Sequence, residues 1–345
     1  MDHNRIGIIG ATGFTGMELV RILTRHPDVE ISVITSESKA GVKYSDLNPQ
    51  FRGICDLHLQ SYNEVQEEDI DFLFLALPHR VSMNFVKDKK DWNIPIVDLS
   101  GDFRLSDANT YQEWYDKEHV IPEKIGEAVY GLSELNAEAI ESADLIANPG
   151  CYPTSSILPL APLIVHNKID AQNIIVDSKS GVTGAGAKSK AVNHFCSANE
   201  NFIAYGLKKH RHTIEIQQTL TTLSDVNVRV QFTPHLLPLD RGILTTTYSQ
   251  PDNPLNDEEL EVLYREFYKG QPFIRIVQTP PTVKQVRGSN YCDIFVTYDD
   301  RTGNIITVSA IDNLVKGAAG QAVHNMNLRM NFDIQAGLDY IPLQP

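Results

Sequence analysis

"RIGIIGATGFTGMELVRILTRHPDVEISVITS", residues 5–36, decides the fold. Ile6 to Ile9 form an apolar run, and Gly10 turns the chain. Leu19, Ile22 and Leu23 then recur at helical spacing before a second apolar run from Ile31 to Ile34, so the spacing predicts a β-α-β unit. Gly10, Gly13 and Gly16 spell GxxGxxG between the first strand and the helix. Glycines there let the backbone approach a pyrophosphate, and the helix N-terminus supplies N–H donors and a favourable dipole. The expectation is a dinucleotide site at the start of the chain.

The end of the second strand selects the dinucleotide. A carboxylate there accepts hydrogen bonds from the ribose hydroxyls of NAD, whereas hydroxyls and cations suit a 2′-phosphate. Here Thr35-Ser36-Glu37-Ser38-Lys39 offers Ser36, Ser38 and Lys39 for the phosphate, with Glu37 of the opposite tendency, and NADP is expected. Further apolar runs at 71–78, 94–100 and 143–150 extend a parallel sheet. Open sheets bind ligands past the carboxyl ends of their strands, so Pro78, His79, Ser100, Gly101, Asp102 and Asn148 to Cys151 are expected to converge on one crevice.

After residue 160 the pattern changes. Segments 174–183, 227–236, 242–249, 291–299 and 305–313 carry the mixed polarity of an antiparallel sheet, and 256–270 reads as a helix. The small-residue-rich "NLVKGAAGQAVHNMNLRM" is helical in spacing and suited to close packing, and it is expected to return to the nucleotide domain. The fold class is therefore α/β: an N-terminal Rossmann-type domain plus an α+β catalytic domain with a mainly antiparallel sheet. The expected boundaries are 1–149 with 314–345, and 150–313.

With 345 residues, two domains are the natural division. The formal charge of −14 argues against nucleic acid as a partner, and no apolar run approaches a membrane span. Cys55, Cys151, Cys196 and Cys292 include no CxxC pair, so neither a metal site nor a disulfide framework is expected, and a cytoplasmic location follows. A local basic patch runs from Lys188 through Lys190, Lys208 and Lys209 to Arg211, against one acid, Glu200. It suits a small anionic substrate.

"ANPGCYPTSS" (147–156) places Cys151 between a Pro-Gly turn and a helix start, with Pro153 and Thr154 in the first turn. A helix dipole contributes only about 0.3–1 kcal/mol, less than one pKa unit, so a thiolate there needs a second partner. "KKHRHTIEIQQ" (208–218) supplies His210 and His212 around Arg211. One histidine is expected to exchange a proton with the reacting carbonyl, and Arg211 or the other histidine to bind the substrate anion. "SGVTGAGAKS" (180–189) is a second glycine-rich loop, with hydroxyls at Ser180, Thr183 and Ser189 and a cation at Lys188. Cys55, Cys196 and Cys292 read as small packing residues. A nicotinamide, a nucleophilic cysteine and a histidine together suit capture of an acyl group from a phosphate ester as a thioester, reduced by hydride to an aldehyde.

The motifs "GIIGATGFTGMELVRIL", "LALPH", "DLSGDFRL", "YGLSELN", "ANPGCYPT", "SGVTGAGAK", "HRHTIEI", "FTPHLLPLDRGIL" and "DNLVKGAAGQAVHNMN" occur in an order and spacing that resemble the N-acetyl-γ-glutamyl-phosphate reductases. The resemblance implies NADPH-dependent reduction of N-acetyl-γ-glutamyl phosphate to the semialdehyde in arginine biosynthesis, with release of inorganic phosphate. It also implies a fold shared with aspartate-semialdehyde dehydrogenases and a homodimer or homotetramer. The catalytic residues expected are Cys151, His212 as acid/base and His210. The expected cofactor set is Gly10, Thr12, Gly13, Phe14, Thr15 and Gly16, then Ser36, Ser38, Lys39, Pro78, His79 and Ser100, with Gly184 and Asn313. For the substrate it is Asn148, Ser180, Lys188, Glu200, His210 and Arg211.

Two positions depart from the pattern. The family often has a basic residue where Glu37 stands, and often glycine where Arg80 stands. The alternatives are an aspartate-semialdehyde dehydrogenase or related acyl-phosphate reductase, and a non-enzymatic NADP-sensing regulator.

Overall fold

In the computed structural model, which describes residues 3–224 and 226–343, the first sheet contains β1 (Asn4–Ile9), β2 (Val29–Ile34), β3 (Phe72–Leu75), β4 (Ile96–Asp98), β5 (Val129–Tyr130) and β6 (Leu145–Ala147). Their order is β2-β1-β3-β4-β6-β5, and every pairing is parallel. β3, β4 and β6 are buried at every residue, as apolar strands covered on both faces must be. β1 lies between β2 and β3, so the chain reverses its direction of travel across the sheet at β1 and leaves a crevice past the strand ends. The helix Phe14–Leu23 follows β1 directly, with Gly13 as its N-cap.

The chain divides into two compact units, Met1–Pro149 with Ala318–Asp339, and Gly150–Gly317 with Tyr340–Pro345. The late helix Gly320–Arg329 thus belongs to the first unit. There Gln321 Nε2 donates to Gly131 O and to Ser133 Oγ, and Asn325 Nδ2 donates to Gly131 O and to Asn148 Oδ1. Residues 314–317 group with the second unit because Asp312 holds them. Its carboxylate accepts from Leu314 N and Val315 N, and Gly317 N reaches back five residues to Asp312 O at 2.9 Å, forming one π-helical turn over Val315–Ala319. Leu343 N donates to Arg287 O and so ties the tail to the same unit.

The second unit contains β7 (Ile174–Gly181), β8 (Ile203–Ala204), β9 (Val230–Leu237), β10 (Ile243–Ser249), β11 (Ile274–Ile276), β12 (Cys292–Asp299) and β13 (Asn304–Ile311), in the order β11-β12-β13-β10-β7-β9-β8. Four of its six pairings are antiparallel, and β9 and β10 alternate buried with less buried residues, the period-2 pattern of a sheet packed on one face.

The helix Cys151–Val165 is buried from Tyr152 to Ile164 and contains Pro159 and Pro162. A proline inside a helix removes the N–H that the carbonyl four residues earlier would have received. Both deprived carbonyls find other donors: Ser309 Oγ bonds Ser155 O at 2.6 Å, and Tyr268 Oη bonds Leu158 O. The sheet and a neighbouring helix thereby lock the cysteine helix in place.

Candidate active site

In the first unit the three glycines have separate jobs. Gly10 has φ +95°, and a Cβ there would lie 2.6 Å from Ala76 O at the end of β3. A Cβ on Gly16 would lie 2.3 Å from Gly10 O, so helix and loop could not close. Around Gly13 nothing comes nearer than 3.9 Å, which leaves its face open to a ligand. No side chain caps the helix Phe14–Leu23, so its first N–H groups are available to an anion. Gly10 N donates to Thr35 Oγ1, Tyr44 Oη donates to Ala11 O, and Thr12 Oγ1 and Ser36 Oγ share a hydrogen bond of 3.1 Å, so the loop is clamped to the end of β2. These residues fit a dinucleotide pyrophosphate.

The strand-end residues of this unit converge. Gly101 N donates to His79 Nδ1 at 2.7 Å, and Arg80 N and Tyr111 Oη donate to Asp102. Ser100 Oγ donates to Asp98 at 2.6 Å, and Pro78 O accepts from Val81 N. Asp98 is fully buried beside Asp102, and burial first, then that second carboxylate, raises its pKa. Asn148 is also buried, and all its polar groups are occupied. Its N–H bonds Asp98 O, its side chain bonds Ala318 O and Asn325, and its carbonyl accepts from Arg104 Nε at 2.7 Å. Arg104, a buried guanidinium that also donates to Leu99 O, is a residue the motif reading passed over.

In the second unit Cys151 is the first residue of its helix, with Gly150 as N-cap, and it is partly accessible. None of the four cysteines forms a disulfide. Gly150 N donates to Oε1 of Glu215 at 2.8 Å. Glu215 is fully buried in the helix His212–Thr222, one turn after His212 and on the same face. Its carboxylate therefore joins the histidine helix to the cysteine turn, a link that sequence spacing placed on a helix but could not aim. Gly317 presses from another side, where an added Cβ would lie 2.8 Å from the Cβ of Cys151.

His210 and His212 have ring centroids 4.8 Å apart, and both meet the ring of buried Tyr152 edge-on, at 5.6 and 5.8 Å. Tyr152 Oη donates to His235 O and accepts from Tyr205 Oη, and burial pushes its phenol up, so it stays neutral. His212 N donates to Nδ1 of His210 at 3.2 Å, which leaves Nε2 as the protonated nitrogen of a neutral His210 ring. Burial, then the Arg211 charge, push His210 down to about 4. At neutral pH His210 is a hydrogen-bond donor and not an acid.

Thr183, Gly184 and Asn313 meet in this same unit. Asn313 donates to Thr183 Oγ1 and accepts from Gly242 N, so both ends of its amide are engaged. Ser180 is buried, and its Oγ lies 3.2 Å from where a Cβ on Gly184 would stand. Lys188 and Glu200 are exposed, and no hydrogen bond among the described residues joins either to Cys151, His210 or His212. Cys55 and Cys292 are buried, as packing residues should be, but Cys196 is exposed. It sits in a segment whose Phe195 and Phe202 are also exposed, so the packing reading fails for Cys196.

Comparison with known proteins gives this geometry a lineage. A family model described as the semialdehyde dehydrogenase NAD binding domain matches residues 5–143, and the semialdehyde dehydrogenase dimerisation domain matches 151–313. A protein of Citrifermentans bemidjiense named N-acetyl-gamma-glutamyl-phosphate reductase is 48% identical over 99% of both chains. The chain belongs to the N-acetyl-γ-glutamyl-phosphate reductase family. Other proteins so named, from Geobacter sulfurreducens and Pelotomaculum thermopropionicum, are each 47% identical, over 99% and 97% of both chains.

Among solved structures, aspartate semialdehyde dehydrogenase II of Vibrio cholerae superposes with a TM-score of 0.74 at 19% identity, covering 96% of this chain and 99% of that one. Aspartate semialdehyde dehydrogenase of Candida albicans, solved with NADP, gives 0.67 at 16%, covering 97% and 99%. These two share the fold of the reductase family. No helix among the described residues is long and apolar enough to cross a membrane.

Proposed function

We propose that this protein reduces N-acetyl-γ-glutamyl phosphate to N-acetyl-L-glutamate 5-semialdehyde with NADPH, releasing inorganic phosphate, as a step of arginine biosynthesis. The observation that carries the reading is the constellation in the second unit: Cys151 opening a buried helix, Gly150 tied to Glu215, and His210 and His212 around Tyr152. Relatives sharing nearly half of their residues over nearly the whole chain support the acetylated substrate over aspartate semialdehyde.

Cys151 Sγ attacks the acyl carbonyl, and the C–S bond forms as the C–O bond to phosphate breaks. His212 takes the thiol proton and returns it to the departing phosphate. His210, held neutral, donates from Nε2 to the carbonyl oxygen as it gains charge, and Arg211 and Lys188 bind the substrate's anionic groups. When bound, NADPH supplies the hydride. The thiolate of Cys151 is the leaving group as the aldehyde forms. Gly10 to Gly16 would hold the pyrophosphate, Ser36, Ser38 and Lys39 the 2′-phosphate, and Pro78, His79 and Ser100 would line the nicotinamide side. The protein acts in the cytoplasm as a homodimer or homotetramer through its dimerisation domain.

Acyl phosphates hydrolyse readily, so the reverse reaction tests the reading. Phosphate-dependent reduction of NADP+ by N-acetylglutamate semialdehyde is expected, with little turnover of aspartate semialdehyde. Preference for aspartate semialdehyde would move the enzyme to another pathway, and turnover of neither would return the chain to the regulator alternative.

A further inference from the structure

Glu37 stands where an acid would serve the ribose hydroxyls of NAD and would repel the 2′-phosphate of NADP. The structure gives its carboxylate a different occupation. Oε1 accepts from the backbone N–H of Tyr62 at 2.7 Å, and Ser61 Oγ donates to Oε2 at 3.1 Å and to Oε1 at 3.3 Å.

The receiving turn is itself rigid. Ser61 and Glu64 close a capping box, with Ser61 N donating to Glu64 Oε2 at 2.8 Å. The Tyr62 ring packs edge-on against Phe85 at 6.0 Å, beside the core of the first unit. Residues just before the turn run along β2, with Gln60 N donating to Ile34 O and Ser36 N donating to Gln60 O.

The neighbours of Glu37 point to the opposite use. Ser36 is buried, with its hydroxyl on Thr12 of the glycine loop. Ser38 and Lys39 are exposed, and neither side chain has a hydrogen-bond or ion-pair partner among the described residues.

We infer that Glu37 is a specificity-determining residue held out of play: the Ser61–Tyr62 turn withdraws its carboxylate from the ribose, so this chain accepts NADP(H) although it carries an acid at the position that ordinarily selects NAD. The inference rests on the NADP(H) reading above. Ser61, which touches no part of the cofactor in this account, acts on cofactor choice only through Glu37.

Binding of NADP+ and of NAD+ to the full-length protein, measured by titration calorimetry without substrate, tests it. The wild type is expected to prefer NADP+, and Glu37→Gln, which keeps an acceptor for Tyr62 N, to change the NADP+ Kd by less than about threefold. Lys39→Ala is expected to raise the NADP+ Kd about tenfold and leave NAD+ within about threefold. Ser61→Ala removes one of the two donors that hold the carboxylate, leaving only Tyr62 N–H, and is expected to weaken NADP+ about threefold or more, a loss that vanishes in the Ser61→Ala/Glu37→Gln double variant.

About threefold or greater tightening of NADP+ by Glu37→Gln would show that the carboxylate already faces the phosphate, overturning the inference while leaving the NADP(H) reading intact. So would a Ser61→Ala loss that persists in the double variant, or no loss at all. A wild type that prefers NAD+ and loses it in Glu37→Gln would overturn both.

Discussion

The backbone N–H of Gly150 donates to the carboxylate of Glu215 at 2.8 Å, one residue before Cys151, and the helix that carries Glu215 begins at His212. A single buried acid thus fixes the distance between the turn that presents the thiol and the helix that presents His212.

Removing that acceptor is expected to misplace the nucleophile. Displacements of the order of 1 Å cost about 10²-fold in rate, so Glu215→Ala is predicted to lower kcat/KM by about that factor. Glu215→Gln keeps an oxygen for Gly150 N–H and is predicted to recover to within about tenfold of wild type. The rate of Cys151 alkylation by iodoacetamide across pH should follow the same order. Equal losses in both variants would mean that the charge of Glu215, not its position, matters.

Gly317 makes a second prediction about the same thiol. A methyl at this position would meet the Cys151 Cβ at 2.8 Å, and the π-helical turn that holds Gly317 is anchored through Asp312. Gly317→Ala is expected to reduce kcat by about tenfold or more, with little change in secondary structure by circular dichroism. Gly303→Ala, where an added Cβ meets nothing within 4 Å but φ is +74°, should affect stability and not kcat.

Stability against pH should carry the mark of His210. Its folded pKa is about 4 against an ordinary 6.5, so between these values the unfolded chain binds a proton that the native chain does not. Above pH 6.5 both states are neutral and nothing is lost. As pH falls towards 4 the native state loses stability, by at most about 3 kcal/mol at about 1.4 kcal/mol per pKa unit. Buried His26 and His119 act in the same sense and Asp98, whose pKa is raised, in the opposite one. The readout is therefore the difference between wild type and His210→Asn in urea midpoint at pH 4.5 and pH 7.5. The variant should lose less on acidification, and an unchanged loss would contradict the neutral His210.

Arg80 takes φ +70°, a region that suits glycine, and its guanidinium donates to Tyr115 O. Alanine keeps the strain and loses the bond, whereas glycine loses the bond and relieves the strain. Arg80→Gly is expected to be more stable than Arg80→Ala by about 1 kcal/mol in urea denaturation, the reverse of the order found inside helices.

The architecture was largely legible because its signals are local. Apolar runs marked β1, β3, β4 and β6 as doubly covered strands, and GxxGxxG between strand and helix located the dinucleotide loop. The Pro-Gly turn and helix start around Cys151 were read from the sequence, and the structure places Cys151 first in its helix. What stayed hidden depends on contacts between distant segments. An acid one turn after His212 reads as a solvated helix residue until the fold buries it against Gly150. Gly317 lay within a stretch read as closely packed, but only the tertiary structure says that its neighbour is Cys151. Glu37 read as an opponent of NADP because nothing in residues 35–39 reveals the turn at Ser61. Cys196 read as a packing residue for want of a turn or helix-start signal, and its exposure is not a local property.

The central claim is that Cys151 becomes acylated as phosphate leaves. Mixing the protein with freshly prepared N-acetyl-γ-glutamyl phosphate in the absence of NADPH, with rapid quenching, measures it directly. The account predicts a burst of phosphate stoichiometric with enzyme and an N-acetylglutamyl adduct that peptide mass spectrometry places on Cys151, both lost in Cys151→Ala. A phosphate burst that survives in that variant, or an adduct on any other residue, would contradict it.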